Sequence, residues 1–132
     1  MSEICLDTLT ATTAAREIRE GRLSAETLLE ACLARIERFN PHLNALVTVD
    51  AAGAREAARA ADRQLAAGGA VLPLLGVPVS IKDAFATRGL RTTASHKPLA
   101  DYVPAADATV VSRLRAAGAV IVGKSNLPEL AG

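Results

Sequence analysis

Two short apolar runs that read as strands, Gly76–Asp83 and Ala119–Val122, alternate with stretches whose apolar residues recur at helical spacing. That alternation constrains the fold most, because such strands and amphipathic helices bury their apolar sides together in an α/β arrangement. The clearest helical stripe is Leu28, Leu29, Cys32, Leu33, Ile36 and Phe39, with Glu26, Glu30, Glu37 and Arg38 mostly off it. Ser24 is placed to cap this helix, and Asn40-Pro41 is expected to stop it at about Phe39. A preceding helix is expected from Thr10 to Glu20, ended by Gly21 in a left-handed turn. Asn44–Val49 is rich in β-formers, and Asp50 is placed to cap a third helix running to about Ala67. The inward face of that helix would be Ala54, Ala57, Ala58, Ala61 and Leu65, with Gly68-Gly69 ending it. Asp107 is expected to cap a fourth helix, in which Val110, Val111, Leu114 and Ala117 share a face and Gly118 is the terminator.

Between the Lys82 strand and that fourth helix lies an irregular stretch, Ala84–Ala106, rich in Thr, Pro and Gly. Loops of this length are unusual unless functional. Only three strands are visible, so the expected sheet is incomplete. The 132 residues suit a single domain and half are hydrophobic, but Phe39, Phe85 and Tyr102 are the only aromatics. Alanine does much of the filling, and each alanine buries little area.

Fifteen basic against fourteen acidic residues give a net charge of +1, with no basic stripe for a phosphate backbone, so no nucleic-acid partner is expected. The start has neither the basic nor the apolar region of a secretory signal. The longest nearly apolar stretch, Ala70–Ile81, contains two prolines and is too short to span a bilayer. No membrane partner is expected, and a reduced, cytoplasmic chain is the default. Cys5 and Cys32 lack metal-type spacing, and Cys32 reads as a small core hydrophobe. His42 and His96 have no partner at metal-ligand spacing and read as loop histidines. Neither a metal nor an organic cofactor is expected.

Lys82 closes the run Gly76-Val77-Pro78-Val79-Ser80-Ile81-Lys82-Asp83, an apolar strand with one cation in it. A lysine there either snorkels into water or is held partly desolvated, and a desolvated amine can serve as a general base. Gly118–Ser125 matches G-x4-G-K-[ST], the phosphate-cradling P-loop. That motif needs a strand before its first glycine and a helix opening at its Lys-Ser pair. Here a helix comes first, the four intervening residues are β-formers, and Pro128 follows closely. Nucleotide binding is therefore not expected.

Three segments together resemble the amidase signature family of serine amide hydrolases. They are Gly76–Asp83; Arg91–Ser95 with Val103-Pro104 and Asp107–Val111; and Leu114–Glu129, which contains Gly123-Lys124-Ser125-Asn126. Ser24–Leu29 is similar as well, so the resemblance covers nearly the whole chain. It implies the N-terminal portion of the amidase signature fold, a mixed sheet flanked by helices. Residues 1–70 would form a helical lead-in and residues 71–132 the first part of the sheet core. It also implies that Lys82 is the catalytic lysine of a Ser–cis-Ser–Lys triad acting on a small-molecule amide. The triad's two serines would lie in a Gly- and Ser-rich segment beyond the third block, so the 132-residue chain is expected to be an N-terminal fragment, inactive alone.

Several readings stand beside this one. Ser80, two residues before Lys82, would point the same way in a strand, which makes a Ser-Lys dyad conceivable, but with no separate oxyanion site evident it reads first as a small strand residue. The parent could be the glutaminase subunit of a tRNA-dependent amidotransferase, although Asn126–Leu130 looks more like stand-alone amidases. The chain could instead be a non-catalytic docking module, soluble with a cooperative melt rather than aggregating through strand edges. Asp83 could orient or pair with Lys82, or simply end the strand. Thr92, Thr93 and Ser95 line the active-site side by resemblance, or serve turn bonding alone. Lys124 matches a family position and reads as structural.

Overall fold

The computed structural model describes residues 4–132. Its elements are α1 (Ala11–Arg19), α2 (Ala25–Leu43), β1 (Leu46–Val49), α3 (Ala51–Ala66), β2 (Pro78–Lys82), α4 (Thr109–Ala116) and β3 (Val120–Ser125), with short 3₁₀ turns at Lys97–Leu99 and Glu129–Ala131. The sheet is mixed, in the order β1-β3-β2, with β3 antiparallel to β1 and parallel to β2. Among the described residues no helix is long and apolar enough to cross a membrane.

Helices α1, α2 and α3 cover one face of the sheet. Ala14, Ile18, Leu28, Leu29, Ala54 and Ala58 meet Val77, Val120 and Val122 there. Helix α4 covers the other face through Val111, against Ile81 and Ile121. Alternate residues of β3 therefore serve opposite cores, as strand geometry requires. The small faces of α2 and α3 allow close packing, although Ala57, expected to face inward, is exposed. Ala54, Ala58 and Ala61 already form the contact stripe, and Ala57 lies to its side.

Thr10, Ser24 and Asp50 cap α1, α2 and α3, each accepting from the amide three residues on. Helix α2 does not stop at Phe39. It runs through Pro41 to Leu43 and ends on Asn44 in the left-handed conformation at φ 47°. Pro41 falls in the last turn. Asn40 then ties the exit down, its side chain donating to Leu46 O at 2.9 Å and accepting from Leu46 N at 2.8 Å. His42 accordingly lies in the helix rather than in a loop. Asp107 does not cap α4 either; Ala108 is the capping residue. The Asp107 carboxylate is occupied by the Arg88 amide at 2.7 Å and the Arg115 guanidinium at 2.9 Å.

A second cap on α2 arrives from α3. Asp62 accepts from the backbone N–H groups of Ala25 at 2.8 Å and Glu26 at 3.1 Å. The first N–H groups of a helix have no intrahelical partner, and the Ala25 end is fully buried. Asp62→Ala is therefore expected to destabilise the protein by about 1–2 kcal/mol. Urea unfolding checks this, with an unchanged midpoint counting against a tertiary cap.

The stretch 84–106 is irregular but stitched together. Gly89 N donates to Pro104 O at 3.1 Å, Thr92 N to Tyr102 O at 2.9 Å and Ala94 N to Asp83 O at 3.0 Å. Thr87 and Thr92 are buried within it. The loop thus folds back on itself and brings Thr92–Ser95 to the ends of β2 and β3.

Candidate functional site

Strands β2 and β3 run parallel, so their carboxyl ends lie side by side, with Lys82 in register with Ser125. In open α/β sheets such ends are the usual location of binding sites. Strand alternation leaves Ser80 and Lys82 exposed and Ile81 buried. The Lys82 ammonium donates to Asn126 O at 3.2 Å. Ser95 joins this cluster, its hydroxyl donating to Leu127 O at 2.7 Å with Asn126 Oδ1 3.3 Å away. Ala94 and Ser95 both hold positive φ, 49° and 54°. Non-glycine residues adopt that region at a cost, which the surrounding structure must sustain.

Lys124 is the buried lysine. It is wholly inaccessible, with Thr92 Oγ1 at 2.7 Å, Phe85 O at 2.9 Å and Asp83 Oδ1 at 3.5 Å. Two of these oxygens, Thr92 Oγ1 and Phe85 O, accept hydrogen bonds from the ammonium. Burial pushes the Lys124 pKa down, and the Asp83 carboxylate opposes that shift. Asp83 is equally inaccessible, and its Oδ2 accepts from Thr93 Oγ1 at 2.6 Å and Thr93 N at 3.1 Å. Its Oδ1 has no hydrogen bond, so at 3.5 Å the contact with Lys124 is an ion pair only.

A bulge decides which lysine goes inside. Val79 pairs with Ile121 but Ser80 pairs with Gly123, so Val122 is an extra residue on β3. Beyond the bulge Lys124 lies opposite Ile81 and shares its face. Gly123 permits this packing, since a Cβ there would overlap the Thr48 carbonyl oxygen of β1. Gly118, at φ 89°, ends α4 where a Cβ would lie 2.8 Å from Leu75 Cα. Both glycines of the P-loop-like match thus serve strand and turn packing, and Lys124 is turned into the protein.

The structure therefore gathers Lys82, Asp83, Thr92, Thr93, Ser95 and Lys124 at one end of the sheet. Asp83 contacts Lys124 rather than Lys82, and Thr92 lies beneath Lys124. Among the described residues no hydrogen bond joins Ser80 to Lys82. His96 follows Ser95, and its ring meets Glu129 at 2.8 Å. Asn126, the acceptor for Lys82, is not marked as a site residue by the sequence alone. Its place just beyond a strand parallel to the lysine strand is the signal that finds it. An open groove of about 770 Å³ lies elsewhere, between α1, α2 and the sheet, and its lining is mostly apolar. Cys32 borders it half-buried, and burial pushes its thiol pKa up, away from reactivity. Among the described residues no three His, Cys, Asp or Glu side chains converge on a point that could hold a metal ion.

Comparison with known proteins adds to this geometry. The amidase family model matches residues 27–132. The chain is similar to a glutamyl-tRNA(Gln) amidotransferase subunit of Roseiflexus castenholzii, with 51% identity over 93% of the chain and 25% of that protein. Its counterpart in Geobacter sulfurreducens is 50% identical over 87% of the chain and 24% of that protein. The chain thus spans about a quarter of the length of these curated relatives. Among solved structures, the native peptide amidase of Stenotrophomonas maltophilia superposes with a TM-score of 0.84 at 34% identity, over 92% of this chain and 25% of that one. A bacterial aryl acylamidase of the amidase signature family superposes with a TM-score of 0.86 at 27% identity, over 92% of this chain and 26% of that one.

Proposed function

Because the chain belongs to the amidase family, we propose that it supplies the lysine-bearing part of a catalytic unit that hydrolyses the C–N bond of a small-molecule amide. The observation that carries this reading is the placement of Lys82 at the carboxyl end of β2 beside the end of β3, directed to Asn126 O; among the described residues its side chain is exposed rather than desolvated. In this reading Lys82 is the base of a Ser–cis-Ser–Lys triad. The neutral amine draws a proton through a bridging serine while a second serine attacks the amide carbonyl. Backbone amides stabilise the oxyanion, the amine departs, and water hydrolyses the acyl-enzyme. The resemblance puts both serines outside these 132 residues.

A second reading has an observation in its favour. Relatives at about half identity are amidotransferase subunits, whereas the peptide amidase and the aryl acylamidase are 34% and 27% identical. Under that reading the amide is glutamine and its ammonia passes to glutamyl-tRNA(Gln). One experiment addresses both. The polypeptide as its gene encodes it is incubated with glutamine, short aliphatic amides, aryl amides and peptide amides, and amine or ammonia release is followed from the first turnover. The expected result is hydrolysis with an initial burst of released amine, the fingerprint of an accumulating acyl-enzyme. Release from glutamine alone, raised by glutamyl-tRNA(Gln) and the other subunits of the amidotransferase, selects the second reading. No release from any amide under either condition, by a polypeptide that includes the serine-bearing segment, overturns both.

A further inference from the structure

We propose that the buried Asp83–Lys124 pair is a positioning device for Lys82, locking the ends of β2 and β3 and the Thr92–Ser95 turn into one frame. This rests on the reading of Lys82 as the catalytic base. The pair does not touch Lys82. It acts through the backbone on the described segments that lie beside the Lys82 ammonium, the end of β3 and the Thr92–Ser95 turn.

Asp83 directly follows Lys82, and its main chain is held on both sides. Its N–H donates to Ser125 O at 2.9 Å, and its C=O accepts from Ala94 N at 3.0 Å. Its carboxylate holds the side chain and amide of Thr93, two residues before Ser95. Lys124 reaches Thr92 and Phe85 from the other strand. It stands two residues before Asn126, the acceptor for Lys82. Asn126 is itself constrained, its N–H donating to Ala45 O at 2.8 Å and its side chain to Asn44 O at 3.1 Å. The positive-φ residues Ala94 and Ser95 sit between these anchors, and Leu130 N caps Ala94 O at 2.8 Å.

An apolar pair of similar volume would fill such a space at least as stably, because two buried charges lose their hydration. What an apolar pair lacks is the set of directed contacts to Thr92, Thr93 and Phe85. Those contacts fix where the strand end and the turn sit relative to one another. Small displacements of a catalytic group are costly, since a shift of about 1 Å removes on the order of a hundredfold in rate.

The test compares three variants in the polypeptide as its gene encodes it, with amide hydrolysis as the readout. In Asp83→Asn/Lys124→Met the two charges go together, leaving no unpaired buried ion. The expected result is a cooperative melt, KM within about twofold of the parent and kcat lower by about a hundredfold. Thr93→Val removes one anchor without touching a charge, and is expected to lower kcat about tenfold with KM unchanged. Lys82→Ala is the reference for loss of the base. Parental kcat in Thr93→Val and in a folded double variant would show the pair to be core filling and overturn the inference while leaving the base assignment intact. Should the double variant not fold, Thr93→Val decides alone. Parental hydrolysis in Lys82→Ala would overturn the base assignment itself, and this inference with it.

Discussion

Lys82→Ala is expected to lower kcat for amide hydrolysis by about 10²–10⁴-fold, the range a positioned general base contributes. KM should move little, because no feature of Lys82 suggests that it grips the ground-state amide. Lys82→Arg should not rescue, since a guanidinium stays protonated throughout the accessible pH range. The side chain is exposed and its one hydrogen bond goes to a backbone carbonyl, so stability should change by no more than about 0.5 kcal/mol. Rate and thermal midpoint measured on one preparation separate lost chemistry from lost fold. A Lys82→Ala protein that hydrolyses at the parental rate would remove Lys82 from the reaction.

Lys124→Met is expected to do the reverse, costing about 3–5 kcal/mol of stability by leaving Asp83 charged, buried and unpaired. That is a large share of the roughly 5–15 kcal/mol that holds a typical domain together. Adding Asp83→Asn should return most of it. In urea the single variant's midpoint falls at an unchanged slope, and a midpoint equal to the parent's would refute the buried pair.

The pH dependence carries a further signature. Burial holds the Lys124 pKa below its ordinary 10.5, so the folded protein releases that proton before the unfolded chain does. Across that interval the unfolded state binds more protons, and stability from this group rises with pH until 10.5 is passed. Lys124→Met lacks that alkaline rise. Subtracting its stability–pH curve from the parent's isolates it.

Which parts of this were readable from the sequence follows from how far each determinant reaches along the chain. Helix caps are local, and Ser24 and Asp50 do what their positions predict. Asp107 looks equally suited to cap, but Arg88 and Arg115 claim its carboxylate, and that competition involves partners 19 and 8 residues away. The stop expected at Pro41 failed because a proline in the last turn is tolerated when the exit is secured beyond it, here by Asn40 and Asn44. The two lysines show the limit most clearly. Each stands near the carboxyl end of a strand, and only the bulge at Val122 and the close approach of Thr48 to Gly123 send Lys124 inward. Strand order is equally non-local, since no local pattern says that β1 lies antiparallel to β3.

That strand order has a kinetic consequence. The middle strand is the last of the three to be synthesised, and the contact from Asn126 to Asn44 closes a span of 82 residues. Lys82 precedes its acceptor by 44 residues, which at about 5–20 residues per second is a wait of roughly 2–9 s on the ribosome. Until β3 emerges, β1 and β2 have no strand between them, while α2 and α3 can already pair. These three strands therefore join with the middle one last, and its insertion, a slow long-range step, is the same event that brings the Lys82 ammonium to Asn126.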